Sequence, residues 1–195
     1  MPIPRSASFP TTRWTRIVHA SDPTHPRTQA AFAELFQLYA YPIYTFLRRK
    51  SGCGHEKAED LLQEFFLYAY EHRTFGKADR EKGRFRTFVQ GCVENFLIDE
   101  HRYAAAAKRG GGVPHIDING LEADARYATE LADMNLSPEK LFEWKLALEI
   151  FNGAMAELES EAADESKSAI FAALREYLQA DVGRWAKATV RSPCG

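Results

Sequence analysis

Residues 83–102 read GRFRTFVQGCVENFLIDEHR, and they decide how the chain folds. Phe85, Phe88, Val89, Cys92 and Phe96 recur at the three-four spacing of a buried helical stripe. Asn95, Asp99 and Arg102 stand at i, i+4 and i+7 and so share a different face of the same helix. The helix is expected from about Phe85 to Arg109. Gly91 inside it costs ~1 kcal/mol relative to Ala, so close packing against a neighbour is expected there.

The polar face has two readings. A solvated face with an Asp99–Arg102 pair, worth a few tenths of a kcal/mol, satisfies the spacing. A nucleic-acid contact satisfies it too, because Asn and Arg read base edges and Arg and Lys hold phosphates. Arg84 and Arg86 at one end, with Lys108 and Arg109 at the other, make both ends of the helix basic. Phe75 and Phe85 flank the preceding loop, as stacking platforms if exposed and as core if buried.

Outward from this stretch the pattern stays helical. Prolines crowd the start, at 2, 4, 10, 23, 26 and 42, and the next is Pro114. The proline-free window 43–113 leaves room for long helices. RTQAAFAELFQLYAYPIYTFLRRKSG carries a stripe of Phe32, Leu35, Phe36, Tyr39, Ile43 and Phe46–Leu47. Pro42 is expected to kink or split it, and Gly52 to stop it. HEKAEDLLQEFFLYAYEHRTF is the next helix, with acids in its first turns and a core stripe of Leu61, Leu62, Phe65, Phe66, Ala69 and Tyr70. Asp60, Gln63, Glu64, Leu67 and Glu71 line its other face. Residues 74–84 are charged and turn-rich, and read as a loop.

KRGGGVPHIDINGLEADARYATELADMN reads as a linker, with five acids and one Arg between Ile116 and Leu136. LSPEKLFEW restarts a helix, with Ser137 as N-cap and Pro138 at the first helical position. Leu141, Trp144, Leu148, Phe151, Met155 and Leu158 are expected to form its apolar face, and a further helix follows near SKSAIFAALREYLQ. No run alternates like a strand, so the fold class is all-α.

Charge is divided along the chain. Residues 1–115 hold 17 Lys+Arg against 12 Asp+Glu, a net +5; residues 116–195 hold 8 against 15, a net −7. A basic half joined to an acidic half points to a polyanion partner for the first. The N-terminus lacks the apolar core of a signal peptide, and no apolar run approaches the roughly 18 residues of a membrane span. The expectation is a soluble, cytoplasmic protein without a membrane role. Cys53, Cys92 and Cys194 are scattered and form no C-x-x-C pair, which favours free thiols.

Enzyme signatures are missing. HEKAE at 55–59 has Glu59 where a zinc helix needs a second His, GGG at 110–112 runs into Val-Pro rather than Lys-Ser/Thr, and there is no G-x-S-x-G. No catalytic residue, metal or cofactor is expected.

The two central helices carry a resemblance. AEDLLQEFFLYAYEH, followed at the right distance by GRFRTFVQGCVENFLIDEHR, resembles region 2 of the bacterial sigma-70 family factors, in the extracytoplasmic-function group. FPTTRW, KRGGG and LSPEKLFEWKLAL are similar to one subgroup, and the likeness extends over roughly residues 10–178. The resemblance implies a region 2 three-helix bundle, an acidic linker and a short helical C-terminal segment. The implied divisions are an N-terminal segment 1–27, region 2 over 28–110, the linker 111–136, an incomplete start of region 4 over 137–180 and an irregular tail 181–195.

Roles follow from the same resemblance. Asp60, Gln63, Glu64 and Leu67 lie where the family grips the clamp coiled coil of the largest subunit of core RNA polymerase. Asn95 lies where the family captures a flipped base of the −10 promoter element. Arg84, Arg86, Asp99, Arg102, Lys108 and Arg109 fall on the DNA side, and Phe88 stands in for the usual Trp. An anti-sigma factor is a further implied partner. The family's −35-reading helix-turn-helix has no counterpart after residue 180, so the expectation there is a truncated −35 reader. The rival expectation is a helical adaptor or truncated remnant that binds polymerase without recognising a promoter.

Overall fold

The computed structural model describes residues 14–22, 24–106, 123–127, 136–161 and 171–177. Helices α1 (Trp14–Ser21), α2 (Thr28–Ser51), α3 (His55–Glu71) and α4 (Phe85–Ala106) are followed by a short helical turn α5 (123–127), a long helix α6 (Pro138–Glu161) and a last segment α7 (171–177). A 3₁₀ turn, Thr74–Lys77, lies between α3 and α4. The described residues are all-helical, without a strand.

The bundle is organised around α2. Every residue from Tyr39 to Leu47 is buried, so this part of the helix has no solvent face. A helix apolar all round needs neighbours on every side. Here α1, α3 and α6 supply them. Pro42 does not split α2, because the buried collar around it outweighs the backbone bond that proline forfeits. The stop is as expected: Arg48, Arg49 and Lys50 face the negative end of the helix dipole, and Gly52 takes the left-handed conformation at φ 61°.

Aromatic rings join the helices. Phe36 of α2 lies 4.6 Å from Phe66 of α3 between ring centroids. Tyr39 of α2 meets Phe85 of α4 edge-on at 5.7 Å, and Trp14 of α1 meets the same ring at 6.2 Å. Phe75 and Phe85 are both buried and pack together, which settles them as core. The loop expected over 74–84 therefore contains an anchored turn.

Two helical stripes differ from expectation. On α4 the buried positions are Phe85, Val89, Val93, Phe96 and Leu97, while Phe88 and Cys92 are half-buried. Burial raises the Cys92 thiol to about 11, so it stays protonated and unreactive at neutral pH. Gly91 has open space where a side chain would stand, so no close packing explains it.

On α6 the buried residues are Leu141, Phe142, Lys145 and Leu146, all in the first half, and Leu158 is exposed. The reason is that α2 sets the buried side, and the later turns of α6 are largely solvent-facing. The cap is as read from sequence: the Lys140 amide donates to Ser137 Oγ at 3.3 Å, ahead of Pro138.

The core does not stop at α4. Phe142, 1 % exposed, contacts Tyr39 at 6.4 Å and Phe46 at 6.2 Å, and Ile17 of α1 belongs to the same cluster. Removing a buried phenylalanine side chain costs ~3–5 kcal/mol. Phe142→Ala is therefore expected to lower the urea midpoint of the whole helical signal in one transition. Loss of only a minor, separate transition would show that α6 is not part of this cooperative core.

Candidate functional site

The candidate site has two parts, the outward faces of α3 and α4. On α3, Asp60 is exposed, while Glu64 and Leu67 are half-buried. Gln63 corrects the sequence reading: it is 7 % exposed, not on the outer face. Ala58, Leu61, Leu62, Phe65, Phe66 and Ala69 bury a wide arc of α3, and Gln63 lies within it.

Glu64 is the electrostatic oddity of α3. Its Oε2 is sealed from solvent and has no hydrogen-bond partner. Burial raises its pKa above the ordinary value, and the nearby Glu100 adds to the effect. The helix thus offers a poorly solvated carboxylate that a cation from outside would relieve.

On α4, Asn95 and Asp99 are exposed on the side away from the core, and Ile98 between them is 51 % exposed. Arg84 is exposed just before the helix. Arg86 is half-buried, with its Nε 3.7 Å from Glu143 of α6. Lys50 of α2 bridges Glu139 of α6 at 2.6 Å and Glu94 of α4 at 3.5 Å. That bond to Lys50 is the main cause holding the Glu139 carboxyl below its usual pKa. The side chain of Arg102, and Lys108 and Arg109 entirely, lie outside the described residues. The structure thus brings Asn95, Asp99, Arg84 and Arg86 onto one helix and its entrance, and Asp60, Glu64 and Leu67 onto another.

A polar chain that sequence reasoning missed runs beneath the other end of α2. Glu59 lies 3.3 Å from His55, whose Nδ1 is 2.9 Å from Tyr44 Oη. Arg48 donates to that hydroxyl at 3.0 Å and pairs with Asp124 of α5. Its guanidinium also stands 4.1 Å from the Tyr127 ring centroid. Part of the stretch read as linker is therefore held against the bundle. The available signal was Arg48, a cation ending an apolar run. HEKAE, set aside above as a zinc motif, contributes two members of this chain. Among the described residues no three His, Cys, Asp or Glu side chains gather to hold a metal. No described helix is long and apolar enough to cross a membrane.

Comparison with known proteins falls on the same two helices. Residues 35–107 match the family model described as Sigma-70 region 2. The match begins inside α2 and ends just past α4, so it contains α3, the turn and the whole outward face of α4. Over these residues the chain is similar to a sigma-70 region 2 domain. No curated protein and no solved structure matches the chain.

The state of Glu64 gives a pH test. A carboxyl whose pKa is raised on folding contributes stability below its unfolded pKa and loses it as pH rises through the folded value. At neutral pH the ionised group is therefore a liability in the free protein. Glu64→Gln is expected to be the more stable protein at pH 7, with the advantage shrinking as pH falls through the carboxylate range. Melting temperatures of both proteins across that range check it, and a constant difference would refute the assignment.

Proposed function

We propose that the chain is a sigma factor of the extracytoplasmic-function group, which binds core RNA polymerase and directs initiation by recognising and melting a −10 promoter element. The observation that supports this best is the Sigma-70 region 2 match across two helices whose outward faces differ in chemistry. One face is acidic and carries the unpartnered Glu64; the other is led by Arg84 and carries exposed Asn95. An acidic helix suits a basic coiled coil, and an amide beside guanidinium groups suits an opened strand.

In this reading Asp60, Glu64 and Leu67 contact the clamp coiled coil of the largest polymerase subunit, while Gln63 supports them from within. Asn95 captures a base that has left the stack. Flipping costs a few kcal/mol, least at weak pairs, and the helix selects and holds the product. Arg84 and Arg86, with Asp99, Arg102, Lys108 and Arg109, form the DNA side. Arg86 exchanges Glu143 for a phosphate. Polymerase performs the chemistry, so the factor itself needs no catalytic group. The cell compartment is the cytoplasm, and an anti-sigma factor is a partner the same faces would attract.

Two measurements test the proposal. Leu67→Arg is expected to abolish co-purification with core polymerase. Asn95→Ala is expected to lower open-complex yield about 5–150-fold, the ~1–3 kcal/mol of one base contact, while leaving non-specific duplex binding unchanged. An unchanged open-complex yield would remove Asn95 from base capture. A chain that occupies polymerase but yields no promoter-directed transcript would be an adaptor.

A further inference from the structure

The second half of α6 is a helix without a core. Leu148, Phe151, Met155 and Leu158 stand at i, i+3, i+7 and i+10 and so form one narrow stripe. None of them joins the buried clusters, and Leu158 is 44 % exposed. α7 is tied to this stretch by Arg175, which donates to Glu159 at 2.9 Å. It brings Phe171, Leu174 and Tyr177, spaced by three, of which Leu174 is 46 % and Tyr177 68 % exposed. Two helices that each carry an apolar stripe and still leave it wet lack a third element.

The surround of this ridge is acidic. Glu157, Glu161 and Glu176 are exposed and make no ion pair with a described residue, whereas Glu149 and Glu159 are paired with Arg126 and Arg175. A matching occupant is therefore amphipathic and cationic. A second copy of the same surface would set acid against acid, which opposes pairing.

The chain contains a segment of that chemistry. Residues 178–195 lie outside the described residues, and their sequence holds the cations Arg184, Lys187 and Arg191 against the single acid Asp181. Val182, Trp185, Ala186, Thr189 and Val190 fall on one side of a helical projection. Arg184, Lys187 and Arg191, at i, i+3 and i+7, fall on the other. Residues 178–181, between Tyr177 and this pattern, are within the ~2–8 residues that usually connect packed helices.

We infer that residues 182–191 dock as an amphipathic helix on the ridge of α6 and α7, with Val182, Trp185 and Val190 turned toward Leu158, Leu174 and Tyr177. The cations stay outermost and offset the acidic surround through the field rather than through fixed pairs, since opposite charges act across about 10 Å at ordinary salt. The C-terminal arm then has a small core of its own, separate from the one around α2. This inference does not rest on the proposed sigma function.

The test is hydrogen–deuterium exchange of the full chain, read on peptides that cover residues 182–191. Protected amides are expected there in the wild type. Leu174→Glu, at an exposed position, is expected to lower that protection about 10–150-fold, the burial of one leucine side chain, while the amides of α2 and α3 stay protected. Leu158→Glu is expected to do the same from the other helix. Arg184→Glu with Lys187→Glu is expected to weaken protection about 2–5-fold, and adding Glu157→Lys with Glu161→Lys to restore it. Wild-type amides over 182–191 that exchange at the free-peptide rate overturn the inference, as does protection that both leucine variants leave unchanged. Protection that falls on dilution, with a dimer seen by sedimentation, assigns the ridge to a second copy and overturns it as well.

Discussion

The burial of α2 on every side is the constraint from which the remaining architecture follows. From Tyr39 to Leu47 the helix has no wet face, so it is stable only inside a ring of neighbours. The family-matched segment supplies α3 and α4; α1 and α6 come from outside it. The same packing leaves α3 and α4 with one free side each, which is where the candidate site lies. Function here is what remains of two helices after α2 has taken its share of their surfaces.

The charge division along the sequence gains a different meaning in three dimensions. A net +5 in residues 1–115 pointed outward, to a polyanion. Much of that charge meets the chain's own acids instead: Arg48 meets Asp124, Lys50 meets Glu139 and Arg86 meets Glu143. Other described cations, among them Arg27, Lys57, Lys77, Arg80 and Arg84, make no ion pair with a described residue. Net charge by halves located the basic segment, but only geometry distinguishes cations already satisfied from those awaiting a partner.

Legibility followed the range of the interaction. Features fixed by a residue and its near neighbours could be read directly, among them the Gly52 stop, the Ser137 cap and the three central helices. The outward placement of Asn95 and Asp99 was equally readable, because helical spacing fixes relative angles. Absolute orientation was not, since it depends on which neighbour a helix meets. Gln63 looks outward when the core stripe of α3 is read as Leu61, Leu62, Phe65, Phe66, Ala69 and Tyr70, yet the buried arc is turned toward Ala58 and Gln63 and leaves Tyr70 exposed. Lys145, 1 % exposed, looks solvent-facing in sequence, but its amine lies 4.5 Å from the Trp144 ring and 5.4 Å from that of Tyr41. The docking of α5 depends on Arg48 and Asp124, 76 residues apart, a separation that local pattern does not bridge.

Magnitudes decide what α6 does to the candidate DNA face. The Arg86–Glu143 and Lys50–Glu139 pairs are substantially solvent-exposed, and pairs of that kind are worth ~0–1 kcal/mol each. Burial of Phe142 alone is worth several times more, and Leu141 and Leu146 add to it. The helix is therefore held by its apolar side, while its acids sit on cations they hold only weakly. A phosphate chain can displace Glu143 from Arg86 without undocking α6, because the exchange replaces one weak charge pair by another and leaves the core untouched. Attachment and electrostatic screening thus reside on different sides of one helix. Under the proposed function, that separation is what lets α6 remain part of the bundle when Glu143 gives up Arg86 to a strand.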